Sequence, residues 1–461
     1  MFTRRQMIAG AASLPVALPS SGILAQSATP AATPSIASPP TTADFLPAWL
    51  QAQESLRQRG EAISAAFWNS DGEAIREYAS TQLRAFIPAE INASNDLAIF
   101  TTNQLHFALH QVGGWFFGQF EPTAITGFYN QNGTNLWMVT PEEPQTGEVP
   151  TGKWTGFIGP GTIDLGIELE FAGTADDLEI FLTIPSQEAR NEPMDDVVFA
   201  AEMPIGDLVD VRVLPAGGSV TPVNMYAEQY AWGPNTIMFL TSWSEEGELS
   251  GFTFIPQGTL PEVDTPDAIS ARLPFDGAWT VFWGGDTEFR NYHAVTAPQR
   301  YAVDLMIWQD GSTAVEPGRR NEHYHAFGQP YLAPVDGTVV AVMDGQEDIR
   351  PQTSGSNPDV HPAGNHVVIE TDGGYVFLAH CRNGSIVVAE GDAVAAGETV
   401  AAVGNSGNTS EPHVHIHAQS SPDMFDPAAV GIPLLFEGAM ENAEAVEVLS
   451  AQQGTIVEHI S

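Results

Sequence analysis

Three histidines near the carboxyl end of the chain alternate with apolar residues, in the run His413-Val414-His415-Ile416-His417. Successive side chains of a β-strand point to opposite faces, so the three imidazoles would project from one face and the two aliphatic groups from the other. The pattern predicts a strand that packs on a hydrophobic core and presents a row of histidines suited to metal binding or proton transfer.

The segment around Asp304 shows a second pattern of this kind. On a strand over residues 301–308, Asp304 shares its face with Ala302, Met306 and Trp308. A carboxylate left unpaired among apolar groups is costly, and a bound cation would remove that cost. Asp304 is therefore a candidate metal ligand.

Two further histidines stand in segments of the same region. Alternation over residues 375–381 places His380 on the face of Val376 and Leu378, with Cys381 on the opposite face, and His293 precedes Asp304 by eleven residues. Two imidazoles, one carboxylate and a water form an open tetrahedral zinc site, and a ligand set without thiolate is typical of catalytic zinc. Further histidines would act as general base or oxyanion donor. The alternative is that these are ordinary core or surface histidines.

Residues 279–419 resemble the lysostaphin and LytM-type zinc endopeptidases, which cut peptidoglycan peptides. The order and spacing of several short motifs carry the resemblance: Gln299-Arg300-Tyr301-Ala302-Val303-Asp304, Ala333-Pro334-Val335-Asp336-Gly337, Gly364-Asn365-His366-Val367-Val368-Ile369, Leu378-Ala379-His380, Gly391-Asp392-Ala393-Val394, Gly397-Glu398-Thr399-Val400 and Pro412-His413-Val414-His415.

The resemblance implies roles for five residues. His293, Asp304 and His415 correspond to the ligands of one Zn²⁺ per chain, and His380 and His413 to the catalytic pair.

The sequence departs from the family pattern at the first ligand. Many relatives place that histidine four residues before the aspartate, where this chain has Arg300. Other histidines compete with His293 for the role, namely His323, His325, His361 and His366. A further set is expected to contact the ligands or the substrate: His417, His366, His325 and Arg300.

Three other motifs are better explained as ordinary structure. His106 and His110 are spaced as in helical zinc proteases, but Phe107 stands where the catalytic glutamate would be. Residues 404–408 lack the second glycine of a serine elbow and are expected to form a turn. Cys381 is the only cysteine of the chain, so it forms no internal disulfide, and on a strand it faces away from His380.

Composition limits the possible partners. The 461 residues carry a net charge of −41, and Lys153 is the only lysine. This deficit of basic residues argues against binding nucleic acid or an anionic membrane surface through a broad basic patch. With 43% hydrophobic residues it can nevertheless bury cores, and its length predicts several domains.

The amino terminus has the features of an export signal. Residues 1–27 place Arg4-Arg5 before an apolar stretch, which resembles a twin-arginine signal. An uncleaved membrane anchor is the alternative, although the run is short and interrupted by prolines. We expect an exported protein, in the extracellular space, cell-wall space or periplasm, with no stable membrane insertion after signal cleavage.

The predicted fold is multidomain: an α+β N-terminal domain, an all-β middle domain and a C-terminal antiparallel β-sheet peptidase domain. In the N-terminal domain we expect helices over residues 45–86 and 103–111, followed by strands. The predicted segments are a signal (1–27), an Ala/Pro/Ser/Thr-rich linker (28–43), the helical-then-sheet domain (44–147), the all-β domain (148–258), the peptidase domain (268–437) and an extension (438–461).

The expected function is hydrolysis of peptidoglycan stem or cross-bridge peptides by an exported zinc metalloendopeptidase, through a zinc-activated water assisted by two histidines. Two alternatives remain open. One is a non-catalytic wall-binding or activator protein that keeps the fold, and the other is a zinc endopeptidase that acts on a peptide outside the wall.

Overall fold

The computed structural model describes most of the chain from residue 41 onward. The predicted signal and nearly all of the predicted linker lie outside the described residues. The described ranges are 41–69, 71–84, 96–101, 105–109, 125–129, 136–143, 151–158, 165–174, 176–184, 189–193, 198–215, 224–232, 235–244, 246–257, 260, 264–309, 311–315, 318–351, 360–426 and 428–460.

The described part opens with three helices, α1 (Thr42–Trp68), α2 (Gly72–Tyr78) and α3 (Thr81–Arg84). The Asp71 side chain accepts a hydrogen bond from the Ala74 amide and caps α2, within the segment predicted to be helical. Within these described ranges, no helix is both long and apolar enough to cross a bilayer.

One face of α1 is buried and its spacing explains why. The buried side chains recur at intervals of four and seven residues: Phe45, Trp49, Leu56, Ile63 and Phe67. Leu50 follows the helical pattern of the sequence but is 47% exposed, because it lies outside this stripe. The helix predicted within residues 45–86 is therefore present, and only part of its apolar residues face the core.

The first sheet contains twelve described strands. Their bounds are β1 (Asp96–Thr101), β2 (Leu105–Leu109), β3 (Ile125–Tyr129), β4 (Leu136–Pro141), β5 (Gly152–Ile158), β6 (Leu165–Thr174), β7 (Asp177–Ile184), β8 (Ala189–Pro193), β9 (Val198–Pro215), β10 (Asn224–Trp232), β11 (Asn235–Trp243) and β12 (Leu249–Gln257). They are hydrogen-bonded in the order β12-β11-β10-β9-β1-β2-β3-β4-β5-β6-β7-β8, so strands on both sides of position 147 share one sheet.

The helix predicted over residues 103–111 is wrong. Residues 105–109 form β2, which pairs antiparallel with β1 and with β3. A short apolar run fits a buried strand or a helix equally well, and here two neighbouring strands satisfy its backbone groups.

Helix α1 packs across one end of this sheet. Its buried residues Leu56, Ile63 and Phe67 pack in one hydrophobic core with β10 and β11, the strands of Tyr226, Ile237 and Phe239. A Cβ atom on Gly60 would lie 2.0 Å from the Tyr226 ring, so only glycine allows this close approach.

The second sheet forms the C-terminal domain. Its described strands and a small neighbouring pair (β16 with β21) are β13 (Ile269–Ala271), β14 (Ala278–Trp283), β15 (Val303–Met306), β16 (Pro330–Leu332), β17 (Gly337–Met343), β18 (Asn365–Thr371), β19 (Gly374–Cys381), β20 (Ala393–Val394), β21 (Thr399–Ala402), β22 (Val414–Gln419), β23 (Gly431–Ile432), β24 (Leu434–Glu441), β25 (Glu444–Leu449) and β26 (Ile456–His459). The main path runs β13-β24-β26-β14-β15-β22-β19-β18-β17-β20.

This sheet is antiparallel except where β13 pairs with β24. Strand β24 runs across position 437, and β25 and β26 extend the same sheet beyond it. The predicted fold class, helices followed by β-rich domains with a C-terminal antiparallel sheet, is confirmed.

The two sheets meet along an aromatic contact. Phe45 and Trp49 of α1 pack with Trp308 and Ile456 of the C-terminal domain. The Trp49 and Trp308 rings meet edge to face at 5.1 Å, and the Trp49 indole N–H donates to the Gly454 carbonyl at 3.1 Å. Helix α1 therefore belongs to the cores of both halves of the molecule.

Candidate metal centre

Adjacent strands place Asp304 beside His415. In the antiparallel pairing of β15 with β22, these two residues are directly opposite each other. Their neighbours Leu305 and Val414 point into the hydrophobic core, so the polar pair occupies the other face of the sheet. Nδ1 of His415 lies 2.7 Å from Oδ1 of Asp304.

The alternation predicted for the histidine run is confirmed. Val414 and Ile416 lie in the core, while the ring of His413 approaches Asp304 from the other face. Nε2 of His413 is 3.6 Å from Oδ1 of Asp304, and its Nδ1 lies 2.8 Å from the Glu411 carbonyl. A carbonyl only accepts, so Nδ1 carries the proton and Nε2 presents its lone pair toward the site.

His293 reaches the same carboxylate from a short 3-10 helix, Tyr292–Val295. Its Nε2 lies 3.6 Å from Oδ2 of Asp304, and its ring centroid lies 4.9 Å from that of His415. Asn291 orients it: Oδ1 accepts from the His293 amide at 3.2 Å and lies 2.9 Å from Nδ1. His293 and Asp304 are eleven residues apart along the chain, yet their side chains lie in the same site.

His380 enters the site through a β-bulge. Alternation along β19 predicted that it shares a face with Val376 and Leu378, and this is wrong. Those two residues and Cys381 are in the core, whereas His380 lies 4.9 Å from His413 between ring centroids.

The bulge explains the reversal. Strand β19 has one extra residue between its pairings Leu378 with Val367 and Cys381 with Asn365, and His380 adopts a φ of +58°. A non-glycine residue in this left-handed region is strained, which is common at functional sites. Nδ1 of His380 lies 2.7 Å from the Ser406 carbonyl, so that atom carries the proton and Nε2 is left to the site.

His417 lies behind His415. Its Nδ1 is 3.0 Å from Nε2 of His415, and its fully buried ring stacks on Phe377 at 4.7 Å with an interplanar angle of 11°. His417 therefore contacts a candidate ligand, and it holds the orientation of that ring.

The electrostatics favour the charge state that metal binding requires. Burial lowers the pKa of His293 to about 3, and burial also lowers the pKa of His380 and His413. Burial opposes ionisation of Asp304, but the surrounding imidazoles outweigh it and hold the pKa of that carboxyl well below its usual range. The shifts at His293, His380, His413 and Asp304 thus favour the neutral imidazole and the ionised carboxylate, the forms that coordinate a metal.

Among the residues that the structure describes, two overlapping groups of side chains can hold a metal ion. One contains His293, Asp304 and His415, and the other contains His380, His413 and His415. Within each group the ligand atoms lie within 4.8 Å of one another, and all five residues are buried. The donors of the first group, two imidazoles and one carboxylate, fit a divalent transition metal.

The other predicted contact residues lie outside both groups. Nδ1 of His366 lies 2.8 Å from the Gly364 carbonyl, and its ring lies 4.7 Å from that of His361. The His325 amide donates to the Thr313 carbonyl at 3.1 Å. Arg300 is buried, and its carbonyl lies 3.5 Å from Nδ2 of Asn291, the residue that orients His293.

Sequence reasoning missed the residues that hold the histidines in place. Asn291 orients His293, the Ser406 carbonyl orients His380, and the Tyr331 hydroxyl donates to the His415 carbonyl at 2.6 Å. Asn291 is two residues before His293, the spacing of a local side-chain cap, and that signal was available. The Ser406 contact is made by backbone, which no residue type reveals.

A family model matches part of the C-terminal domain. Residues 323–427 match the model of Peptidase family M23, a range that includes His380, His413 and His415. No curated protein matches the chain.

Similar solved structures include a putative peptidase M23 from Pseudomonas aeruginosa, with 16% identity over 47% of this chain and 82% of that one and a TM-score of 0.20. A zinc containing peptidase from Vibrio cholerae has 12% identity, covers 68% of this chain and 79% of that one, and has a TM-score of 0.18. Helicobacter pylori Csd3 has 10% identity, covers 78% and 81%, and has a TM-score of 0.18. Residues 323–427 of the C-terminal domain thus match peptidase family M23, in agreement with the LytM-type resemblance of its motifs.

Proposed function

We propose that the C-terminal domain is a zinc endopeptidase with one Zn²⁺ bound by His293, Asp304 and His415. The observation that carries the proposal is the convergence of these ligand atoms on one buried carboxylate, with His380 and His413 beside them. Imidazole and carboxylate without thiolate is the usual donor set of catalytic zinc.

The bound ion would polarise the scissile carbonyl and lower the pKa of a water molecule. His380 and His413 supply the proton transfer. Both rings have Nδ1 fixed on a backbone carbonyl, so Nε2 is the atom that accepts a proton from the nucleophilic water. The imidazolium so formed can donate to the carbonyl oxygen or to the leaving amine. The ring centroids of His380 and His413 are 4.9 Å apart, so one ring can accept the proton and the other can donate one.

The proposed substrates are peptides of the peptidoglycan stem or cross-bridge, in line with the LytM-type resemblance. A chain of net charge −41 gains no attraction toward anionic wall polymers. Recognition therefore depends on contacts in the cleft rather than on long-range steering.

The decisive experiment measures zinc stoichiometry and peptide release from purified peptidoglycan. We expect one zinc per chain and hydrolysis by the wild type, loss of both in Asp304→Ala and His293→Ala, and loss of hydrolysis with zinc retained in His380→Ala. His459→Ala, a histidine on β26, is the matched control and should behave as the wild type.

Three outcomes would change the assignment. Full zinc occupancy in His293→Ala would remove only that ligand. Hydrolysis of other peptides but not of wall peptides would indicate a substrate outside the wall. Zinc binding without hydrolysis of any peptide would favour a non-catalytic binding or activator protein.

Export is a separate part of the proposal. The twin-arginine-like pattern in residues 1–27 supports an exported protein. Replacing Arg4 and Arg5 by lysines should retain the protein inside the cell, as measured by fractionation. Unchanged export would indicate the general secretory route.

A further inference from the structure

The segment that leads to His293 is inserted into the core of the other half of the molecule. Phe289, four residues before His293, is fully buried in the hydrophobic core that α1 forms with β10 and β11. This core includes Val213 of β9 and Tyr226 of β10. A side chain of the ligand-bearing segment is therefore packed by the N-terminal sheet.

Arg212 of β9 holds the backbone at the same point. Its guanidinium donates to the Phe289 carbonyl at 2.6 Å and lies 5.3 Å from the Phe289 ring centroid. It also lies 5.6 Å from the Trp283 ring. Arg212 itself is 5% exposed, so this charge-assisted contact is made away from solvent, where it is strong.

A bidentate ion pair fixes the next residue. Nε of Arg290 donates to Oδ2 of Asp210 at 2.7 Å, and Nη2 donates to Oδ1 at 2.6 Å. Arg290 Nη2 also lies 3.3 Å from the Val211 carbonyl. The fork geometry sets both position and orientation of Arg290 relative to β9.

Asn291 connects the contact between Arg290 and β9 to the metal centre. It follows Arg290 directly, its side chain donates to the Ala302 carbonyl at 2.9 Å, and its Oδ1 lies 2.9 Å from Nδ1 of His293. Because Asn291 is fully buried, a shift of the preceding residues would be transmitted to the ring of His293 rather than absorbed by solvent.

We infer that Asp210, Arg212, Phe289 and Arg290 are positioning residues for the metal centre, so that docking of β9 on residues 289–290 sets how tightly His293 binds the ion. The inference rests on the proposed metal site. The N-terminal half of the chain then has a defined function. His293, the first ligand, is correctly positioned only when β9 contacts residues 289–290. Zinc binding and docking of the two halves are then thermodynamically coupled, and the coupling is reciprocal.

The test uses the full chain and measures zinc affinity by competition with a chromophoric chelator, together with the metal-free melting temperature. Asp210→Asn and Arg290→Met should each weaken zinc binding about tenfold, within the range of couplings between sites. The double reversal Asp210→Arg with Arg290→Asp should restore affinity to within about threefold of the wild type, since it recreates the pair. A purely structural role would lower the melting temperature and leave zinc affinity unchanged, which would overturn the inference.

Glu458→Gln is the matched control. Glu458 accepts from the Thr42 amide at 2.9 Å, so it also joins the two halves but does not touch residues 289–290. Its zinc affinity should stay within about twofold of the wild type, and a loss equal to that of Asp210→Asn would overturn the inference. Zinc should also slow amide exchange at residues 210–213 in the wild type, and equal exchange with and without zinc would overturn it as well.

Failure of the proposed site gives a different result. If the wild type and Asp304→Ala bind zinc equally, the metal site itself is wrong. If Asp304→Ala loses zinc while Asp210→Asn and Arg290→Met keep the wild-type affinity, the site stands and the positioning role fails.

Discussion

The ring of Phe377 stacks on the ring of His417, and His417 in turn contacts Nε2 of His415 through its Nδ1. The stack fixes the plane of His417, and the nitrogen contact fixes the orientation of His415. We expect His417→Ala to weaken zinc binding by about 10- to 100-fold, the usual effect of removing a partner of a metal ligand. His417→Gln, which retains a polar side chain, should lose less. Equilibrium dialysis with zinc measures both, and unchanged affinity in His417→Ala would contradict the role.

Zinc should stabilise the folded chain. At a free zinc concentration about 100-fold above the dissociation constant, binding contributes about 2.7 kcal/mol. For domains of this size the melting temperature should rise by about 5 to 10 °C. Calorimetry with and without a chelator measures the shift, and Asp304→Asn should abolish it. A similar shift in Asp304→Asn would show that zinc stabilises the chain elsewhere.

Gly407 is required for the approach of two loops beside His380. It has a φ of +88°, and a Cβ atom there would lie 2.3 Å from the Gly364 amide nitrogen. Gly407→Ala should cost about 3 kcal/mol of unfolding free energy and reduce hydrolysis, because the adjacent Ser406 carbonyl orients His380.

Gly391 provides the matched control for that substitution. Its φ is +92°, but a Cβ atom there meets nothing within 4 Å. Gly391→Ala should cost only the backbone strain, about 1 kcal/mol, with hydrolysis unchanged. Denaturant unfolding measures both variants. Equal losses would mean that strain alone accounts for the effect at Gly407.

Glu288 should make stability depend on pH. Burial raises the pKa of its carboxyl from 4.5 to about 8. Between these values the folded chain holds a proton that the unfolded chain has lost, so the stability from this group is full below pH 4.5 and is lost as the pH rises to about 8. Glu288→Gln should therefore raise the melting temperature by about 10 °C at pH 8 and change it little at pH 4.5. Asp286→Asn, at an exposed carboxylate of the same segment, should show no such difference.

Cys381 should be unreactive in the native protein. It is fully buried in the core of the C-terminal sheet, and burial raises the pKa of its thiol well above the usual value. We expect maleimide labelling, followed by mass spectrometry, to be at least about 100-fold slower in the native chain than in denaturant. Rapid labelling of the native chain would place the thiol at the cleft.

Much of the site could be predicted from residue alternation. The positions of Asp304, His413 and His415 follow from a period of two, because these strands keep that period without interruption. His380 could not be placed correctly in this way. The extra residue in β19 and its positive φ reverse its face, and nothing in its residue type signals a bulge.

The contacts made by Asp210 and Phe289 also could not be predicted from the sequence. They depend on tertiary contacts between segments about 80 residues apart, and either residue alone has the appearance of an ordinary surface charge or core aromatic. The helix predicted over residues 103–111 was wrong for another reason. The five-residue apolar run at residues 105–109 fits a helix and a strand equally.

The edge-to-face contact of Trp49 with Trp308 has a practical consequence for dissecting the chain. A fragment that begins at residue 268 lacks Phe45, Trp49 and Leu214, and it exposes Trp308 and Ile456 as a new apolar patch. Such patches promote aggregation. Poor solubility of the isolated peptidase fragment would therefore reflect the cut surface itself, and a soluble fragment would need polar replacements at those two positions.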